Sequence, residues 1–202
     1  MILNHLGKAG ILLFGLLILV VSLARAGLTI AQENTEEIKK NEVWFVMTDK
    51  FGNRESKSYK LPEVRVLPSS MFYGFKRIRD YLWLSFSSGM DKPKIAILMA
   101  DKKVTEYQKL VDEGNNQLAV EAGIEAVDKL KYVDELISTI NPQNDQTREI
   151  HQQVLRGGLA YKEIFVHEKA NFELVEGGYS NLISTIDEWN KEQEDRRFEW
   201  DR

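Results

Sequence analysis

Two amphipathic stretches meet across only four residues, Asp112-Glu113-Gly114-Asn115, and this junction limits the folds open to the chain. Before it, Ile97, Ala100, Val104, Tyr107 and Val111 recur at the spacing of one helix face. After it, Ala126, Leu130, Val133, Ile137 and Ile140 repeat like a heptad seam, supported by Val120, Ile124 and Val127. Gly114 can adopt the left-handed conformation that closes a helix C-terminus. A connection this short forces the two helices antiparallel. Asp91 and Pro93 predict the start of the first as N-cap and early proline, and Pro142 the end of the second.

The other elements are read outward from this hairpin. Ala9 to Ala24 is an uncharged run of 16 residues between Lys8 and Arg25. That is shorter than the ~20 residues of a comfortable span. Small-x-small patterns at Ala24/Ala26 and Thr29/Ala31 follow, so residues 1–31 read as a secretory signal or a retained membrane anchor through residues 9–24. The balance tips slightly towards cleavage, and either way the bulk of the chain is exported. Residues 32–66 form a linker with a small β-hairpin, from Val43 to Met47 and Ser56 to Leu61, turning at Gly52-Asn53. Pro62 and Pro68 frame an extended lead-in, and Ser69 or Ser70 can cap the helix that follows.

In that helix Met71, Phe75, Ile78, Leu82 and Phe86 fall on one side and predict a buried stripe, stopped at Gly89. Beside it, Tyr73, Lys76, Arg77, Arg79, Tyr81 and Trp83 make the candidate interaction surface of the chain. Aromatics interleaved with cations could lie on an anionic membrane surface. The weightier reading places the aromatics in the core, with the cations as its solvated rim. Residues 67–140 then make a three-helix core domain, and 141–202 add long C-terminal helices. One is expected from Asp145 to Glu176, carrying Ile150, Val154, Tyr161, Phe165, Phe172 and Val175 on one side. Gly157-Gly158 predicts a kink or a close helix approach within it, and Gly177-Gly178 a break. A last helix carries Leu182, Ile186 and Trp189 and frays into a charged tail. The fold class is mainly α: antiparallel helical hairpins in an elongated bundle, a small β-hairpin before them, and an N-terminal hydrophobic export or anchor helix.

Residues 66–137 resemble the bacterial domain-of-unknown-function family 5667. The residues that carry this are Leu67-Pro68, Tyr73 with Lys76-Arg77, Arg79-Asp80, Asp91-Lys92-Pro93-Lys94, Ala100-Asp101-Lys102-Lys103 and the turn at Gly114-Asn115. The chain departs from the family pattern in an extra Lys before Pro93 and in Ser70-Met71. The resemblance implies an extracytoplasmic helical region behind a membrane or signal segment, and it implies no reaction.

The chemistry in the sequence is sparse. The chain has no cysteine, which excludes disulfides, thiolate metal sites and a cysteine nucleophile. No nucleotide-binding or hydrolase motif is present. His151 and His167 lie 16 residues apart, about 24 Å along an unbroken helix, and read as surface histidines. The acid pairs Asp112-Glu113, Asp134-Glu135 and Asp187-Glu188 read as solvated faces. No catalytic, cofactor or metal residue is therefore assigned. Residues 67–110 carry 8 basic and 4 acidic side chains, and 111–202 carry 10 and 20. The acidic distal half argues against nucleic acid as a partner. The expectation is a non-enzymatic, membrane-tethered interaction or scaffolding module binding an envelope protein. The alternative is an extracytoplasmic sensor or chaperone-like hairpin that binds metal, through His151 and His167, or unfolded client.

Overall fold

The structure, a computed structural model, describes residues 42–48, 51–138, 144–167 and 176–200. The export segment, Ile140, Pro142, Phe172 and Val175 lie outside them. Among the described residues the chain is mainly helical, with one two-stranded antiparallel sheet ahead of five helices. No helix among them is long and apolar enough to cross a membrane.

Strands β1 (Glu42–Thr48) and β2 (Arg54–Lys60) pair in register from Glu42 opposite Lys60 to Thr48 opposite Arg54. Gly52 takes φ +84° in the turn between them, a conformation that favours glycine. Alternation along β1 buries Phe45 and leaves Trp44 and Val46 exposed. A two-stranded ribbon is marginal in water. This one lies against α4 (Asp145–His167), where Tyr59 meets Tyr161 edge-on with ring centroids 6.3 Å apart.

From β2 the chain runs as a strap over α2 (Asp91–Asp112), with Leu61 and Val64 buried. Thr105 Oγ1 donates to the Pro62 carbonyl at 2.9 Å, and Lys109 Nζ donates to the Val64 carbonyl. Helix α1 (Tyr73–Phe86) follows the strap and rests on α2. Its N-cap position is Phe72, which offers no side-chain hydrogen bond, so the expected serine cap is absent. Ser70 instead closes the turn before the helix, its Oγ accepting from the Phe72 N–H at 3.3 Å. Gly89 lies in the connection after α1, with φ +56°. Helix α2 likewise begins one residue earlier than expected, at Asp91, with Met90 in the cap position.

The antiparallel pair of α2 and α3 (Asn116–Ser138) is the centre of the bundle. Gly114 has φ +76°, its N–H donates to the Val111 carbonyl at 2.9 Å, and Asn115 N–H reaches Leu110 at 2.8 Å. That pattern is a Schellman closure, and it turns the chain within the four expected residues. The predicted α2 and α3 faces are buried together, joined in one core by Ile150, Val154, Tyr161 and Phe165 of α4. Leu182, Ile186 and Trp189 of α5 (Glu176–Trp200) complete it.

Three expectations for the C-terminal half are corrected. Gly177-Gly178 lies inside the first turn of α5 rather than at a break, and α5 stays helical through Trp200 rather than fraying. Asp134 is buried, not solvated: it accepts from Gln193 at 3.2 Å and pairs with Arg196 at 2.7 Å. At Gly157-Gly158 α4 is continuous, and close approach explains both glycines. A Cβ on Gly158 would fall 2.2 Å from Asn190 Oδ1 and 2.4 Å from the Trp189 ring, while one on Gly157 would meet the Tyr59 hydroxyl at 3.3 Å.

At the joint between hairpin, α2 and α4, the hydroxyls of Tyr59 and Tyr161 both donate to Asp101 Oδ1, at 2.9 and 2.6 Å. Burial pushes the Asp101 carboxyl up to about 7, and the two hydrogen bonds oppose part of that rise.

Two predictions follow from these contacts. Gly158→Ala should destabilise the fold by about 2 kcal/mol, because Trp189 and Asn190 are packed side chains that must move. Gly74→Ala, in open space on α1, should stabilise by roughly 0.5–1 kcal/mol in urea unfolding. The second concerns pH. Folded Asp101 keeps its proton to about pH 7 and an unfolded aspartate loses its own near 3.8. The folded state therefore binds more protons between these values, and stability is full below about pH 4 and lost as pH rises through 7. The loss is on the order of 4 kcal/mol. Asp101→Asn should abolish it, read as the wild-type minus variant difference in unfolding free energy across pH 4–8.

Candidate interaction surface

Helix α1 is mounted with its polar side inward. On α2, Glu106 is fully buried, and its two oxygens point towards α1. Tyr73 donates its hydroxyl to Glu106 Oε2 at 2.9 Å, and Lys76 Nζ donates to Oε1 at 2.5 Å. Lys103, one turn before Glu106, pairs with it at 3.0 Å, with Glu125 of α3 at 2.7 Å, and donates to the Tyr73 hydroxyl. Both ammonium groups lie 5.2 Å from the Tyr73 ring centre. Asp80 closes the network, 3.5 Å from Lys76 and 2.7 Å from Arg79.

The electrostatics follow from this crowding of opposite charges in a half-dry seam. Burial pushes the Tyr73 phenol up to about 12, against the pull of the Lys103 hydrogen bond. Burial alone would lower Lys103, but its bonds to Glu125 and Tyr73 and the Glu106 charge hold it above its ordinary value. Lys129 of α3 is lowered, by burial first, with Glu125 opposing.

The consequence is on the other side of the helix. The stripe predicted to be core is turned to solvent: Met71 is 84% exposed, Phe75 75%, Ile78 55% and Phe86 81%, with Leu82 half-buried. Among the described residues α1 has no buried position at all. The helical spacing identified which residues share a side. It could not show that the docking surface beneath α1 is a buried carboxylate, Glu106, with the Lys103 ammonium beside it, which only the polar side satisfies.

The six candidate residues are therefore divided. Tyr73 and Lys76 belong to the seam with α2. Arg77 and Tyr81 are exposed, and Arg79 is held against Asp80. Trp83 is half-buried and lines an open hollow of about 510 Å³ with Phe86, Ile95 and Lys94, at the junction of α1 and α2. Phe75, Ile78 and Phe86 stand exposed instead, with Phe72 off their stripe. The spacing groups the first three on one side, and that side faces solvent rather than the core.

Histidine chemistry does not assemble. His151 is buried on α4, contrary to the surface expectation, and His167 is exposed at its C-terminal end. Because α4 runs unbroken between them, the rings cannot share an ion. Among the described residues no group of three or more His, Cys, Asp or Glu side chains could hold a metal. Comparison with protein-family models, curated proteins and solved structures returns no match.

Glu106→Ala should cost about 3–5 kcal/mol, since it strands Lys76 and Lys103 without their buried partner. It should also speed amide exchange across Tyr73–Phe86 more than across α3. Phe75→Ser should change stability by less than about 0.5 kcal/mol, because that residue is three-quarters exposed.

Proposed function

We propose that this protein is a non-enzymatic, membrane-tethered helical module of the cell envelope, and that it docks through the outward side of α1. One observation carries this reading: a helix whose polar residues are locked to the bundle while its apolar residues face solvent. Exposed apolar side chains gathered on one side of a helix, rimmed by polar residues, mark an interaction surface. The ion-pair seam below α1 makes the orientation a built feature, because rolling the stripe inward would strand Glu106 and Lys103 among apolar side chains. The rest of the bundle supports a presenting role, since several of its buried polar groups join elements together. Asp101 joins hairpin to helices, Asp134 joins α3 to α5, and Asn190 donates to the Gly158 carbonyl at 3.0 Å. The apolar run at residues 9–24 supports the tether and the envelope location.

The absence of native cysteine gives a direct test. Single substitutions Phe75→Cys on α1 and Asn181→Cys on α5 are both at exposed positions. A membrane-impermeant maleimide, applied to intact cells and to the purified, delipidated chain, should label Asn181→Cys in both. It should label Phe75→Cys only in the purified chain. Equal labelling of both positions in cells would remove the docking role, and no labelling of Asn181→Cys in cells would remove the exported location.

A further inference from the structure

We infer that the outward side of α1 seats on the anionic lipid surface of the membrane to which the chain is tethered. This rests on the docking role of α1 and names what α1 docks against. Three features of the molecule select lipid over a second protein surface.

The first is extent. A helix of 14 residues is about 21 Å long and 10 Å wide, a footprint of roughly 200 Å². A stable protein–protein interface takes about 800 Å² from each partner. A bilayer sets no such minimum when a tether already holds the chain beside it, since apolar side chains enter the headgroup boundary one by one.

The second is the charge that surrounds the stripe. The stretch 67–110 holds four acids, and three of them are neutralised or hidden on the bundle side. Asp101 and Glu106 are buried, and Asp80 is gripped by Lys76 and Arg79. Asp91 is the exposed one. Arg77 and Lys94 are exposed beside the stripe, and Arg79 is a quarter exposed. Three acids are thus held inward, Glu106 and Asp80 against Lys76, Lys103 and Arg79. Arg77 and Lys94 stay outside, with only Asp91 among the exposed acids of this stretch. That leaves a basic rim around an apolar centre, the chemistry of an interfacial helix on anionic lipid. The acidic distal half of the chain would be repelled by the same surface, which orients α1 towards it.

The third is reach. Seventeen residues separate the apolar run ending at Ala24 from β1 at Glu42, a span of at most ~60 Å when extended. That keeps α1 within molecular dimensions of the bilayer. The stripe itself is rich in phenylalanine, and Tyr81 stands exposed on its flank. An aromatic side chain with a polar tip is the kind enriched at membrane–water boundaries.

The test uses the full chain with Phe75→Cys carrying an environment-sensitive nitrobenzoxadiazole label, reconstituted in vesicles. In mixed phosphatidylglycerol–phosphatidylcholine vesicles its emission should shift to the blue and iodide quenching should be lost. The same label at Asn181→Cys should stay water-like. Adding Arg77→Glu and Arg79→Glu, or raising the salt, should return the Phe75 label towards its aqueous spectrum. A water-like label in the mixed vesicles overturns the lipid assignment, as does a shift of equal size on pure phosphatidylcholine. If the same position is nonetheless shielded from maleimide in cells, docking stands and the occupant is a protein. If it is open in cells and water-like on vesicles, both readings fall.

Discussion

Glu106 sits on α2 without solvent exposure and holds Tyr73 and Lys76 of α1 through its two oxygens, while Lys103 braces it from its own helix. A charge so placed must keep its partners, because an unpaired buried carboxylate costs far more than a lost surface contact. Only one side of α1 can supply those partners. The side that cannot, with Phe75, Ile78 and Phe86, is thereby turned outward. Local amphipathicity and tertiary electrostatics compete here, and the desolvated charge wins because α1 is short. Its stripe would gain a few kcal/mol from burial at about 1.5–3 kcal/mol per large side chain, but only against a matching apolar surface, and at Lys103 and Glu106 α2 offers charge instead.

The same helix serves opposite purposes on its other sides. Towards α3 and α4, α2 presents Ile97, Ala100, Val104 and Tyr107 to the common core, where Tyr107 meets Phe165 at 4.8 Å between ring centres. Towards the hairpin it presents Asp101, which ties Tyr59 and Tyr161 to one oxygen. A marginal two-stranded ribbon thus gains a fixed place through one buried acceptor and an aromatic contact, not through sheet extension. Gly157 of α4 lets the Tyr59 hydroxyl come close, and elsewhere in the bundle Gly123 faces Leu182 and Gly158 faces Trp189 and Asn190. The glycine pair in α4 is a packing device, and its cost in helix propensity is offset by the side chains it admits.

Several buried polar groups of this scaffold make joints between elements, while the apolar side of α1 faces solvent. The asymmetry between a basic first half and an acidic second half gains meaning in that setting. Within 67–110 three acids are held in the bundle, Asp80 and Glu106 against Lys76, Lys103 and Arg79, and the charge left outside near α1 is basic, with Asp91 as its exposed acid.

Sequence by itself determined the elements whose signals are local. The α2–α3 hairpin was legible because a short junction and Gly114 dictate a reversal whatever surrounds it, and the β-hairpin because a β-branched and aromatic run and a weakly alternating one flank Gly52-Asn53. The buried faces of α2 to α5 were legible because large apolar residues at helical spacing had a matching apolar neighbour. Only the tertiary structure decided the direction in which α1 faces, the burial of Asp101, Glu106, Asp134 and His151, and the close approaches at Gly157-Gly158. Each depends on groups tens of residues apart, as Tyr73 and Lys76 are from Glu106 or Asp134 from Gln193. A periodic pattern states which residues share a side of a helix. Which side is inward is set by the free energy of the surface it meets, and that surface exists only once the chain has folded.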